Sequence, residues 1–319
     1  MNSIIKAPKV GLSGKVLQWE VVNADGSIDK ACYKPNDNVI TDVGLDMLAT
    51  SNGYSYNNHW VTTYFCIGTG TVEPSATDTK LTAETYRGTC VFSDSVTYSA
   101  NGSDPYYIYQ HRWAQTPLGA LNGTYGEIGF SPSSTANANV FSKHILKDEN
   151  GDPTTVIVSS EQQLRLHYVL TYLMSPSTTM TGTINIDGLG DVAYEAAWQW
   201  VTTSLSDIVK TMSCNYTLSM IAFQQNYSLL PIGQKPASYT NGDKGTEIIS
   251  AYVNGSHERF VTSTWNVSQG NGTWYGVFLG APYNNMNQYP VFYIKFTTPI
   301  VKANTHAMSF TIKTSWGRS

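Results

Sequence analysis

Apolar and polar residues alternate along much of this chain. In residues 163–172, Leu164, Leu166, Tyr168, Leu170 and Tyr172 share one face, while Arg165, His167 and Thr171 share the other. Near the C-terminus Met308, Phe310 and Ile312 oppose Ser309, Thr311 and Lys313, and "VFYIKFTT" at 291–298 sets Phe292, Ile294 and Phe296 on one side. A period of two puts one face on a core and the other in solvent, which predicts half-buried antiparallel strands. Helical signals are few. Thr41-Asp42 ahead of Val43-Gly44-Leu45-Asp46-Met47-Leu48-Ala49 predicts a short helix capped by Thr41 or Asp42 and closed near Asn52-Gly53. Residues 193–200 carry alanines that favour helix and aromatics that favour strand.

Turn dipeptides separate these stretches: Asp25-Gly26, Asn52-Gly53, Asn101-Gly102, Asn122-Gly123, Asn150-Gly151, Asp187-Gly188, Asn241-Gly242, Asn254-Gly255 and Asn271-Gly272. Each is expected to supply the positive φ of a tight hairpin. The predicted class is therefore mainly β: antiparallel β-sandwich or jelly-roll-like domains with one or two short helices. The Pro and Ser/Thr cluster at 175–179 marks a boundary. It divides the chain into a domain at 1–175 and a second β domain at 176–319. Alternatively 177–305 is an insertion and the last strand returns to the first domain.

Composition narrows the function classes. Charged residues are 13% of the 319, against roughly 25% in ordinary soluble proteins, so an uncharged polar surface is expected. The net charge of −4 and the lack of a Lys/Arg block remove the electrostatic term that drives nucleic-acid binding. No apolar run is long enough to span a bilayer and the N-terminus lacks a signal-peptide pattern, so a soluble, unexported chain is expected. Cys32, Cys66, Cys90 and Cys214 form no CxxC pair, which predicts free thiols rather than a disulfide or zinc framework. The Asn-x-Ser/Thr sequons are read as turns.

No motif for catalysis stands out. Gly68-Thr69-Gly70 is not followed by the Lys-Ser/Thr of a phosphate loop. The spaced run Asp78, Leu81, Glu84 and Arg87 reads as a structural clamp. Asp78 or Thr79 caps a turn, Leu81 anchors it, and Glu84 pairs with Arg87 across it, an exposed pair contributing about 0–1 kcal/mol. The histidines His59, His111, His144, His167, His257 and His306 are dispersed singly and no HExxH or GxSxG pattern occurs. The 148–152 stretch lacks EF-hand spacing and is read as a hairpin turn. No metal and no cofactor are expected. A glycosidase would need two carboxylates roughly 5–10 Å apart, and among Asp94, Asp104, Glu127, Asp187 and Glu195 nothing singles out a pair. Trp60, Tyr64, Tyr106, Tyr107, Trp113, Trp198, Trp200, Trp274 and Tyr275 suit sugar stacking or interfaces as a set, but each one singly is expected in a strand core.

Taken in order, "CIGTGTVEPSATDTKLTAE" (66–84), "YGEIGF" (125–130), residues 139–173 and the closing "SFTIKTSWGR" (309–318) resemble virion structural proteins of tailed bacteriophages, the minor tail and tail-appendage group. The matching residues are Gly68, Gly70, Thr71, Pro74, Asp78, Thr79, Leu81, Glu84, Glu127, Ile128 and Gly129. Arg87 departs from the pattern in following a Tyr, and the resemblance does not extend to 177–305. The resemblance implies a non-enzymatic, multimeric β subunit. It would be made in a bacterial cytoplasm and built into the virion beside other virion proteins and copies of itself. Receptor or host-glycan contact would fall in 177–305, and a head decoration or collar position is the alternative to the tail. Edge strands such as 307–317 are then either open to pairing with neighbouring subunits or, as is often the case, protected.

Overall fold

The computed structural model describes residues 4–50, 60–90, 95–100, 106–174, 179–186, 189–198, 219–224, 226, 242–280 and 292–319. Of these described residues strand accounts for 61% and helix for 5%, so the chain is mainly β, as the alternation predicts. In order its strands are β1 (Ile4–Lys6), β2 (Val10–Asn23), β3 (Ile28–Cys32), β4 (Asn36–Ile40), β5 (Tyr64–Gly68), β6 (Glu84–Thr89), β7 (Ser95–Tyr98), β8 (Tyr106–Gln115), β9 (Gly123–Tyr125), β10 (Glu127–Ser131) and β11 (Ser142–Ile145). They continue as β12 (Val156–Val158), β13 (Gln162–Met174), β14 (Met180–Ile186), β15 (Gly190–Trp198), β16 (Ser219–Phe223), β17 (Gly242–Lys244), β18 (Thr246–Ile249), β19 (Glu258–Trp265), β20 (Gly272–Gly280), β21 (Phe292–Lys302) and β22 (Met308–Arg318). One α-helix, α1 (Asp42–Thr50), and one 3-10 turn, Trp60–Thr62, fall between β4 and β5. The chain divides into two compact units: Gly11–Tyr98 with Ile108–Tyr172 and Arg318–Ser319, and Leu173–Gly317 with Met1–Val10 and Ser99–Tyr107. The expected boundary at 175–179 lies, except for Thr179, outside the described residues.

In the first unit β2 is the shared strand. One arm runs β3, β2, β13, β8, β7 and the other β2, β4, β11, β10, β5, β6. Phe130 of β10 stacks on Tyr168 of β13 with centroids 4.2 Å apart, and Ser142 of β11 donates to the Tyr168 hydroxyl. The inward faces of the two arms thus close a core around Phe65, Ile67, Ile128, Leu164 and Leu166, all buried. The alternation in β13 holds as far as Tyr168; beyond it Val169 and Thr171 are buried too, so this end of the strand is covered on both faces. Thr41 caps α1. Its Oγ1 accepts from the Gly44 N–H at 2.9 Å and donates to the Val140 carbonyl at 2.7 Å. A Cβ on Gly44 would fall 2.1 Å from the Phe141 carbonyl oxygen, so glycine is what lets the helix lie against the segment that leads into β11.

The second unit holds a six-stranded antiparallel sheet in the order β14, β15, β21, β20, β16, β17. The 193–200 stretch, ambiguous in sequence, is strand β15 as far as Trp198. A second set of strands, β18, β19 and β22, adds β1 in parallel along residues 311–313. Trp265 of β19 meets Trp274 of β20 edge-on at 5.0 Å, and Phe310 of β22 meets Phe296 of β21 at 5.8 Å. Such aromatic pairs each add about 0.5–1.5 kcal/mol beyond the burial of their area.

Two expectations are corrected. The 307–317 strand is not an edge, because β19 pairs with it along 308–315 while β1 also pairs with it. The N-terminal residues supply this second neighbour, which alternation in the C-terminal segment does not encode. Gly123 does not form a positive-φ turn but opens β9, opposite Val158. Gly26, Gly151, Gly255 and Gly272 do take positive φ.

Candidate functional site

The glycine-threonine loop leaves β5, which lies between β10 and β6 in the sheet. Strand β10 begins with Glu127, whose side chain is fully buried and aims into that loop. Its Oε1 accepts the backbone N–H groups of Gly70 at 3.2 Å and Ala83 at 2.6 Å, and its Oε2 accepts that of Thr82 at 2.9 Å. The carboxylate thereby holds both the departing and the returning limb of the 69–83 loop. The glycines are required by this close approach: a Cβ on Gly68 would lie 2.6 Å from Glu127 Oε1, and one on Gly70 would lie 2.5 Å from its Cδ.

Lys143 of β11 supplies a cation between two carboxylates. Its Nζ sits 3.5 Å from Glu127 Oε2, 3.0 Å from Asp78 Oδ2 and 2.9 Å from Thr82 Oγ1, and its side chain is 3% exposed. Asp78 also accepts the Ser75 N–H, closing a tight turn within the loop. Leu81 is buried beside Cys66 and Val140 and anchors the loop to the core, while Val140 N–H reaches the Thr79 carbonyl at 2.8 Å. Thr71 is exposed and Pro74 half-buried at the loop's outer side.

Glu84 and Arg87 pair as expected but not where expected. Both oxygens of Glu84 are engaged by Arg87, from Nε at 2.8 Å and Nη2 at 2.7 Å. The two side chains are 2% and 3% exposed, so the exposed pair of the sequence reading is corrected to a buried one. It is buried because the 132–139 loop folds over it. Arg87 donates to the carbonyls of Ser133 at 2.7 Å and Ala138 at 3.0 Å, and the Asn137 N–H donates to Glu84. Burial works against the Arg87 charge, but the hydrogen bonds and charge of Glu84 more than offset it and the guanidinium is held above its ordinary value. Burial pushes the neighbouring Cys66 thiol up to about 12, which leaves it protonated and unreactive at neutral pH.

The remaining candidates are distributed as follows. Asp94, Asp104, Asp187, Trp200, His59 and Cys214 lie outside the described residues, as does the side chain of Trp60. Glu195 is exposed on β15. Tyr106, Trp198 and Trp274 are buried in cores, and Tyr275 packs against Phe223, Phe278 and Tyr293. Asp148 accepts three backbone N–H groups, from Asn150, Gly151 and Asp152, so the 148–152 stretch is a hairpin turn closed on its own carboxylate. Among the described residues no three His, Cys, Asp or Glu side chains gather to hold a metal.

Sequence reasoning missed two groupings. Lys143 carried no spacing signal, and its strand, Ser142-Lys143-His144-Ile145, is not apolar enough to mark a buried pair. His111 and His167, dispersed in sequence, meet on β8 and β13 with ring nitrogens 3.2 Å apart. His167 also stacks on Trp113 at 4.0 Å, and burial together with the neighbouring His111 lowers it to about 4. Comparison with protein-family models, with curated proteins and with solved structures gave no match.

Proposed function

We propose that this chain is a structural subunit of a tailed-phage virion, in the tail or an attached appendage, present in several copies and without catalytic activity. The observation that carries this reading is the clamp itself. Among the residues on which the resemblance falls, Gly68, Gly70, Asp78, Leu81, Glu84 and Glu127 each help to lock the 69–83 or 132–139 loop onto one sheet. In Glu84 the carboxylate is consumed by Arg87 and by the Asn137 N–H, which is the economy of a rigid scaffold rather than of a turnover site. The low charge and the absence of a basic block accord with contact to protein rather than nucleic acid. Cryo-electron microscopy of purified particles, with this chain located and its copies counted, tests the proposal. Density for several symmetric copies is the expected result, and its absence from the particle rejects it.

A second reading, a receptor- or glycan-binding module, draws on the half-buried face of β8 and β13. There Trp113 is stacked on His167 beside Gln115, Gln163 and Arg165, an aromatic and amide surface of the kind that sugars stack on. Glycan-array binding that is lost in Trp113→Ala would favour it.

A further inference from the structure

Lys143, Asp78 and Glu127 have a relation that a loop clamp does not require. An amine and a carboxyl group are held in contact, Lys143 Nζ 3.0 Å from Asp78 Oδ2, with a second carboxylate 3.5 Å from the same nitrogen. The Lys143 and Glu127 side chains are 3% and 0% exposed, and that of Asp78 is 28% exposed. The geometry points to a self-catalysed covalent crosslink: we propose that Lys143 and Asp78 condense to a side-chain amide, with Glu127 carrying the proton.

The step balances without a co-reactant. Glu127 Oε2 takes a proton from the Lys143 ammonium and frees the nitrogen lone pair, which attacks Cγ of Asp78. The N–Cγ bond forms, one Cγ–O bond breaks, and that oxygen leaves as water. Two of the three ammonium protons depart in the water, one of them carried by Glu127, and the third stays on the amide nitrogen. Glu127 ends as the carboxylate it began, and no group is oxidised or reduced.

Four features favour this reaction. Contact between the reacting groups replaces a bimolecular encounter by an intramolecular one, which in well-oriented systems is equivalent to about 10⁵–10⁸ M. Burying the Lys143 ammonium removes it from water at a cost, and amide formation abolishes that charge. Glu127 is left without its cation, but its three backbone N–H donors remain. The partial exposure of Asp78 opens an exit for the water. The bond would join the 69–83 loop to β11, so that the loop held by hydrogen bonds and ion pairs becomes a closed covalent ring. The inference rests on this side-chain geometry and is independent of any place in a virion.

The test is the intact mass of the purified full chain, denatured after folding and incubation at neutral pH, followed by peptide mapping. The expected result is a mass one water below that of the sequence and a branched peptide joining Asp78 to Lys143. Lys143→Arg, which keeps the cation but not the amine nucleophile, and Asp78→Ala are each expected at the full mass of their own sequences. Glu127→Gln is expected to show the crosslink slowed at least tenfold. Wild-type protein at full mass throughout overturns the proposal, whatever the variants do. So does a lost water that maps elsewhere, for instance to Asp25-Gly26. A Glu127→Gln protein crosslinked at the wild-type rate overturns the role given to Glu127.

Discussion

A single buried carboxylate organises the first unit's loops. Glu127→Ala leaves the N–H groups of Gly70, Thr82 and Ala83 without their acceptor. Losing one partner of a buried charge network costs about 3–5 kcal/mol, and a loss of that size in denaturant unfolding is the expected result. Gly70→Ala tests the same contact from the other side. With Glu127 Cδ 2.5 Å from the added Cβ and backbone hydrogen bonds fixing the carboxylate, relief needs a shift of the loop. A destabilisation of about 1–3 kcal/mol is expected from such overpacking, whereas Ala at the turn position Thr71, whose side chain is exposed, stays within about 0.5 kcal/mol.

At the scale of elements, the Glu84–Arg87 pair decides whether the 132–139 loop is ordered. Arg87→Met removes the donors to the Ser133 and Ala138 carbonyls and leaves Glu84 buried without its cation. The amides of residues 133–138 are expected to lose their hydrogen-exchange protection before the strands on either side do, because local opening follows the weakest set of bonds. Unchanged protection there refutes the assignment. The helix gives a smaller effect. Thr41→Ala removes both the cap of α1 and the bond to the Val140 carbonyl, and about 1–2 kcal/mol of stability is expected to go with it. The helix and its Thr41 cap were legible in sequence because capping is a contact between residues three apart. Burial of the Glu84–Arg87 pair was not, because what covers it lies about fifty residues further along the chain.

Across the whole molecule, acid should unfold this protein earlier than its low charge implies. Burial, with a smaller opposing effect from the hydrogen bond to the Asp37 carbonyl, lowers His144 to about 4, and its Nδ1 donates to that carbonyl at 2.9 Å. Unfolded, the imidazole returns to about 6.5. Between those values the unfolded chain binds the extra proton, so the stability is fully present above about 6.5 and is lost as pH falls towards about 4, by about 3 kcal/mol for this residue. His167 on the half-buried face changes in the same direction, less effectively because solvent screens it. Thermal midpoints measured between about pH 7 and pH 4.5 are expected to fall in the wild type and to fall less in His144→Phe. Parallel slopes for the two proteins exclude His144 as the cause.

The amino-acid sequence by itself determined the class of this protein. A period of two in residues 163–172 and 308–313, glycine at turn positions such as Gly26 and Gly151, and a threonine cap are all read within a few residues, and local sterics and side-chain alternation act over that range. The spaced run from Asp78 to Arg87 was also recognisable as a clamp, since its turn and its ion pair are local. Only the tertiary structure decided what the clamp closes on. Glu127 reaches Gly70 from 57 residues away and Lys143 reaches Thr82 from 61. Such pairings are set by which strands become neighbours in a sheet, and strand order depends on the burial of the whole apolar face, not on any short stretch of residues. For the same reason the His111–His167 pair, scattered in sequence, and the covering of β22 by the N-terminal strand appear only once the sheets are assembled.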